Sequence, residues 1–146
     1  LVLIHTLKNT GSKRIVTQVY NHNFFVIDNQ PTGPGFVVKF PPEIAANNSN
    51  EFVQFNANEL IFLKAPGRRN VFFQDLTRGK SAGYELKIEN KKTGAGVKIT
   101  ADRPMAKLVF WAASKTICPE PYIDIRLDPG EEFSWNIVYD FYTTSK

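Results

Sequence analysis

The sequence is poor in the features that mark several large classes of protein. It has a single cysteine, Cys118, so it can form neither an internal disulfide nor a zinc cluster built from several cysteines. No stretch approaches the ~18 consecutive apolar residues of a membrane-spanning helix. The 18 lysines and arginines barely exceed the 14 aspartates and glutamates, and they are scattered singly or in pairs. We therefore expect no disulfide framework, no membrane segment and no nucleic-acid partner.

The motifs of common cofactor and metal sites are also missing. Gly33-Pro34-Gly35 lacks the third glycine and the following helix of a phosphate-binding loop. There is no His-Glu-x-x-His or Cys-x-x-Cys pattern, and the two histidines, His5 and His22, are isolated. From these patterns we expect no metal and no cofactor.

The dominant period of hydrophobicity is two. Residues 83–90 alternate between apolar and charged or polar side chains, which is typical of a strand with one face on a core. The turn residues 90–94 lead to a second alternating segment, 97–100, and together they predict a β-hairpin. Near the C-terminal end, the apolar face of a long strand at 133–141 follows the Asp-Pro-Gly-Glu turn at 128–131.

The rest of the chain also favours strands. Further strands are predicted at 1–8, 14–20, 23–28, 36–40, 51–55, 59–64, 106–112 and 121–127. Only residues 42–46 favour a helix, of about one turn, because proline suits a first helical turn. Ten or so short strands separated by turn residues predict an all-β fold, an antiparallel β-sandwich.

The start of the sequence affects how the domain is interpreted. Leu1–Ile4 read as the middle of a strand, so we expect an N-terminal portion to be missing. No repeat or linker divides the chain, and residues 1–146 are therefore predicted to be the C-terminal portion of a single β-sandwich domain. An uncovered strand at 1–8 would offer a sheet edge for pairing with the missing half or with a second copy.

Two segments are more polar than their positions require. Residues 20–25, Tyr-Asn-His-Asn-Phe-Phe, join two apolar runs, and Glu120 lies between Pro119 and Pro121, which fix its direction. On facing strands, His22 and Glu120 would form an acid and base pair near neutral pH. On spacing alone, the simpler alternative is favoured, in which His22 is a turn residue and Glu120 a solvated loop carboxylate.

The neighbouring Cys118 is not expected to act as a catalytic nucleophile. A cysteine nucleophile needs a positioned base, and Cys118 lies between Ile117 and Pro119. We expect a half-buried, inert thiol.

Two stretches resemble the aldose 1-epimerases, the galactose mutarotase-like proteins. Residues 20–25, which follow a strand and Asn9-Thr10-Gly11, are similar to the Asn-His-x-x-Phe signature of that family. Residues 118–121, followed by 127–131 and a closing aromatic strand, resemble the C-terminal stretch that holds the family's catalytic glutamate. The resemblance spans roughly residues 5–142.

The resemblance implies a fold and a mechanism. The fold would be a large twisted β-sandwich that binds sugar in a groove on one sheet. His22 would be the general acid that protonates the ring oxygen of a hexose, and Glu120 the general base that removes the anomeric hydroxyl proton. The ring would open and reclose as the other anomer, without metal or cofactor. We expect the two side chains to lie about one pyranose ring apart on an open concave surface.

The resemblance also suggests substrate-binding residues. Asn21 belongs to the signature, and Trp111 suits stacking on a pyranose or packing in the core equally well. Asp75 is the best candidate for the family's aspartate ahead of Asp28, and the simpler alternative for both is an aspartate at a strand end or in a turn. The other aromatic candidates, Phe24, Phe110 and Tyr122, are close to His22 or Glu120 in the sequence.

Other positions differ from the family pattern or do not determine which sugar would bind. The family's second histidine and its arginine lie in an N-terminal half that this sequence does not contain. His5, on one face with Leu3 and Leu7, is a poor substitute, and a core or edge histidine is the expected interpretation. Arg68-Arg69 would suit a phosphorylated sugar, against the simpler alternative of a solvated loop.

Two further functions stay open at this point. One is a non-catalytic carbohydrate-binding β-sandwich domain that keeps the shape without turnover. The other is a structural or adhesive β domain, which a structure with His22 far from Glu120 would favour.

Overall fold

The computed structural model describes residues 1–44 and 49–144, and within these ranges the secondary structure is entirely β. The strands are β1 (Val2–Lys8), β2 (Ile15–Val19), β3 (Phe36–Lys39), β4 (Val53–Asn56), β5 (Glu59–Phe62), β6 (Val71–Phe73), β7 (Glu85–Asn90), β8 (Ala95–Ala101), β9 (Lys107–Ala113), β10 (Thr116–Leu127) and β11 (Glu132–Thr143).

The strands form two antiparallel sheets, which confirms the predicted β-sandwich. One sheet has seven strands in the order β1-β11-β8-β7-β3-β5-β4, and the other has four in the order β2-β10-β9-β6. Apolar side chains that alternate along the strands meet between the sheets and form the core. The largest fully buried side chains include Phe62, Phe110, Leu60, Leu86 and Ile88.

The most regular predicted elements are present. β7 and β8 form the predicted hairpin, with Leu86 opposite Ile99. The turn before β11 closes with a hydrogen bond from the Glu131 N–H to the Asp128 carbonyl (3.1 Å). Gly130 has a φ of 85° there, a conformation that glycine adopts without the steric cost of a Cβ.

Several predicted boundaries are wrong. Residues 23–28 do not form a strand, and only Phe25 makes an isolated bridge, to Ile117. Strand β6 was not predicted, because its three residues are too few to show a period. In the segment predicted to be helical, Ile44 closes a turn onto the Pro41 carbonyl, and residues 45–46 lie outside the described residues.

β1 lies at the edge of the seven-stranded sheet, where it pairs only with β11 among the described strands. Its outward-facing Ile4 is 77% exposed. Pairing with a further strand or with a second copy remains a prediction that this exposed edge permits. No helix among the described residues is long and apolar enough to cross a membrane.

Candidate active site

Two prolines in β10 shape the backbone at the site. Ile117 exchanges both of its backbone hydrogen bonds with Phe25, on the side of β10 away from β9. Successive residues of a strand alternate between its two sides, so Pro119 and Pro121 lack an N–H only on that same side. Residues 116–122 of β10 therefore pair with β9 without a break, while residues 20–24 pass the other side of this stretch without a backbone pair. Glu120 lies in this strand with its side chain 8% exposed, so the alternative of a solvated loop carboxylate is wrong.

The side chains of β10 separate into two faces. Ile117 and Ile123 face the core, whereas Cys118, Glu120 and Tyr122 face the outer surface of the four-stranded sheet. Alternate residues of the segment 20–24 and one residue of β9 meet them there. We call this set the outer-face cluster: Tyr20, His22, Phe24, Trp111, Cys118, Glu120 and Tyr122.

At the centre of the outer-face cluster, His22 contacts Glu120. The His22 Nε2 atom lies 3.4 Å from Glu120 Oε1, and the Glu120 side chain is 8% exposed against 43% for His22. A carboxylate oxygen only accepts hydrogen bonds, so Nε2 must carry a proton for this contact to be attractive. The two groups thus face each other directly and are closer than the pyranose-ring separation expected from the sequence.

Cys118 contacts the other ring nitrogen of His22, Nδ1. Its Sγ lies 2.9 Å from His22 Nδ1 and 3.7 Å from Glu120 Oε1. Burial raises the pKa of the Cys118 thiol to about 12, and the charge of Glu120 adds to the shift. The thiol therefore stays protonated at neutral pH, and it is fully buried rather than half-buried.

The role of Cys118 in this contact was missed in the sequence analysis. The signal was available, because residues 118 and 120 lie two apart in a strand and so share a face. The predicted strand begins only at residue 121, so this alternation was not applied to residues 118 and 120.

Aromatic rings surround the polar centre. The Phe24 ring stacks on the His22 imidazole with centroids 4.5 Å apart, and Trp111 meets Phe24 edge-on at 6.0 Å. On the other side, Tyr20 stacks on Tyr122 at 4.2 Å. The polar pair thus lies among flat apolar surfaces of the kind that can pack against the C–H face of a sugar.

β9 separates two of the aromatic candidates. Trp111 is the register partner of Cys118, so its side chain lies on the outer face of the sheet. Phe110 points the opposite way and is fully buried in the core. Phe110 is therefore near the site in sequence but does not present its ring on the outer face, since neighbours in a strand face opposite sides.

Asn21 lies on the inner side of its segment, away from the His22–Glu120 pair. Its Nδ2 is 3.4 Å from Nε2 of His5, and the His5 ring stacks on Trp135 with centroids 4.8 Å apart. His5 thus packs against the core, as the sequence indicated, although its Nδ1 is buried without a hydrogen-bond partner among the described residues. The structure does not bring Asn21 together with Glu120.

Asp75 organises a turn after β6. Its Oδ1 accepts hydrogen bonds from the backbone N–H (2.9 Å) and hydroxyl (2.7 Å) of Thr77, and its Oδ2 accepts one from the Gly79 N–H (3.1 Å). Burial raises the pKa of Asp75, but these hydrogen bonds outweigh burial and hold the pKa below its usual value. Asp28, the alternative, has a φ of 54° in a turn and accepts a hydrogen bond from Thr93. Neither carboxylate contacts the outer-face cluster.

This arrangement predicts a pH-dependent role for Asp75 in stability. Asp75→Asn loses the acceptor for Gly79 and is expected to lower the free energy of unfolding by about 1–2 kcal/mol at pH 7. Because the carboxylate's pKa is lowered by folding, its stabilisation is present above the unfolded value of about 3.9 and is lost as pH falls below it. Urea denaturation should therefore show the difference shrinking between pH 7 and pH 3. A constant difference, or an equal effect of the exposed control Asp140→Asn, would contradict this role.

Arg69, the second of the paired arginines, makes contacts within the protein. Arg69 forms an ion pair with Glu51, with Nη1 2.7 Å from Oε1, and lies over the Phe52 ring. This contact engages Arg69 within the protein, in the loop between β5 and β6.

A cleft adjoins the exposed side of His22. It has a volume of about 320 Å³, within the range of small-molecule sites, and Glu120 does not line it. Its lining residues include Leu1, Leu3, Asn23, Phe24, Tyr139 and Phe141. The cleft therefore reaches the pair from the His22 side only.

Two solved structures have a similar fold, although no protein-family model and no curated protein sequence matches the chain significantly. The Slr1438 protein of Synechocystis sp. PCC 6803 gives a TM-score of 0.69 at 11% identity, over 98% of this chain and 50% of that one. The Escherichia coli K12 protein named "Putative aldose 1-epimerase" gives 0.61 at 16% identity, over 98% of this chain and 57% of that one. This chain shares their fold. It spans about half of their length, and identities this low establish the fold alone.

Proposed function

We propose that this chain is an aldose 1-epimerase-like protein that interconverts the anomers of a hexose by general acid and base catalysis. The observation that carries the proposal is the contact between the His22 imidazole and the Glu120 carboxylate on the outer face of the smaller sheet. The similarity in fold to a protein named as an aldose 1-epimerase supports it.

The proposed reaction moves two protons around one carbon. His22, as the imidazolium, donates its Nε2 proton to the ring oxygen and becomes a neutral imidazole, while Glu120 takes the proton of the anomeric hydroxyl and the bond between the anomeric carbon and the ring oxygen breaks. The resulting aldehyde rotates about its bond to the next carbon. The ring closes on the other face of the carbonyl, and each proton returns by the reverse step.

The close contact of the pair suits this chemistry better than the wider separation expected from the sequence. The ring oxygen and the anomeric hydroxyl are bonded to the same carbon, so their acid and base must also lie close together. A sugar would replace the His22–Glu120 contact with one hydrogen bond from each side chain. Because Glu120 is nearly buried, the proton transfer would take place with little competition from water.

Cys118 and the aromatic rings would support the pair. A protonated Cys118 beside Nδ1 leaves Nε2 as the nitrogen that faces the sugar. Phe24 and Trp111 provide a surface for the apolar face of the hexose. Asn21 and Asp75 stay candidates for sugar binding from the sequence, without a contact to the pair in the structure.

The test is the rate of anomer exchange measured by NMR magnetisation transfer with glucose, galactose and their 6-phosphates. We expect the protein in which this chain is part of a complete sugar groove to accelerate the exchange of at least one of these sugars above the buffer rate. The chain alone, which spans about half the length of its structural neighbours, would hold only part of the groove and is expected to be inactive. Calorimetric binding of a sugar without faster exchange would instead support a non-catalytic carbohydrate-binding domain. If no sugar binds and no exchange is accelerated, both functions are contradicted.

A further inference from the structure

The outer-face cluster contains three different metal-binding groups in one place. The imidazole of His22, the thiol of Cys118 and the carboxylate of Glu120 each offer one ligand atom, and these atoms lie within 4.8 Å of one another. His22 and Cys118 are 96 positions apart in the sequence, so no motif of fixed spacing could reveal the cluster. The expectation of no metal came from motifs alone.

The distances fit a small transition-metal ion. With zinc bond lengths of about 2.0–2.3 Å and tetrahedral angles, neighbouring ligand atoms are separated by about 3.3–3.6 Å. Nε2 of His22 and Sγ of Cys118 lie 3.4 Å and 3.7 Å from Glu120 Oε1. Two of the three separations thus match within about 0.2 Å, and all three ligand atoms lie within 4.8 Å of one another.

The donor set also indicates which ions would bind. Thiolate and imidazole ligands favour Zn²⁺ and Co²⁺, whereas Mg²⁺ and Ca²⁺ require several oxygen ligands. Three protein ligands leave a fourth tetrahedral position, and the partly exposed His22 side chain opens it to solvent.

We propose that His22, Cys118 and Glu120 form a binding site for Zn²⁺ or a similar divalent transition-metal ion, and that the ion excludes hexose from the same side chains. On binding, Cys118 releases its thiol proton to solvent, the His22 proton moves to Nδ1, and Nε2 and Oε1 coordinate the ion. The exclusion of hexose rests on the proposed function, because the ion takes both the proton-donating nitrogen and the proton-accepting oxygen. Metal binding itself does not depend on it.

Cobalt titration of the untagged chain tests the site. We expect one Co²⁺ per chain, with a thiolate-to-cobalt charge-transfer band in the near ultraviolet and the visible bands of a tetrahedral ion, both lost when Zn²⁺ is added. Cys118→Ser should abolish the charge-transfer band. His22→Gln and Glu120→Gln should each weaken Co²⁺ binding by at least about 10-fold.

The matched controls are His5→Gln and Glu132→Gln, which change the same residue types outside the cluster and should leave the titration unchanged. Circular dichroism would confirm that each variant folds. Absence of the charge-transfer band in the wild-type chain, or an equal affinity in Cys118→Ser, would overturn the proposal. Mg²⁺ and Ca²⁺ at the same concentrations should not displace cobalt, and displacement by either would also contradict it.

Anomer exchange, measured on the protein with the complete groove, separates this proposal from the proposed function. If both hold, Zn²⁺ should suppress the exchange and a chelator should restore it. A cobalt signal without any anomer exchange leaves the metal site standing and contradicts the epimerase function. Anomer exchange without a cobalt signal supports the epimerase function and contradicts the metal site.

Discussion

Glu120→Gln should reduce hexose anomer exchange by about 100-fold or more, because the amide cannot accept the anomeric proton. Glutamine has nearly the same shape as glutamate, and its carbonyl oxygen can still accept the hydrogen bond from Nε2 of His22. The fold and the His22 contact should therefore persist while the proton transfer is lost. His22→Gln should cause a loss of the same order, since it removes the proton donor to the ring oxygen.

The measurement is NMR magnetisation transfer between the α and β anomers, with the buffer rate subtracted. Glu132→Gln is the matched control, because this exposed glutamate lies at the start of β11, outside the outer-face cluster. Exchange in Glu120→Gln at more than about a third of the wild-type rate would contradict the role of Glu120 as base. An equal loss in Glu132→Gln would indicate a general defect in the protein rather than a loss of chemistry.

The sequence predicted the strands whose side chains alternate most strictly. β7, β8 and β11 each bury one face on the core and expose the other, and a period of two reports this environment directly. Prediction failed where tertiary contacts override local pattern. Residues 23–28 have the composition of a strand, yet only Phe25 finds a partner.

Strand β10 shows why the site was harder to predict than the fold. Pro119 and Pro121 lie where the predicted strand 121–127 begins, and their missing N–H groups face the side of β10 on which β2 pairs only with residues 123–127. Which side a proline faces depends on the register with β9, and the sequence does not reveal that register. Glu120 was therefore expected in a loop, although its position beside His22 followed from the family resemblance.

The contacts of His22 with Glu120 and Cys118 join residues that are distant in sequence. They form because residues 20–24 pass β10 beside residues 118–121, where β10 has no strand partner on the side away from β9. A local sequence pattern carries no information on contacts between distant residues. The family resemblance indicated His22 and Glu120 but not Cys118. For Asn21 and Asp75, the structure shows other contacts, on the inner side of the segment and within a turn.

Stability should be far more sensitive to truncation of a side chain in the core behind the site than to truncation of one on the outer face of the sheet. Phe110→Ala is expected to lower the free energy of unfolding by about 3–5 kcal/mol, because it leaves a cavity where a fully buried ring packs against Phe40 and Phe73. Phe110 is also the register partner of Pro119, directly behind the outer-face cluster. Urea denaturation would measure the loss, with an unchanged dependence on urea showing that the same surface unfolds.

Phe72→Ala is the matched control for this prediction, because it removes the same ring from the neighbouring strand β6. Phe72 is 55% exposed and faces outward beside Trp111, so its loss should cost less than about 1 kcal/mol. Similar costs for the two variants would contradict the assignment of opposite faces to Phe110 and Trp111. That assignment also places Cys118 and Glu120 on the outer face, so the stability measurement tests the location of the site without requiring activity.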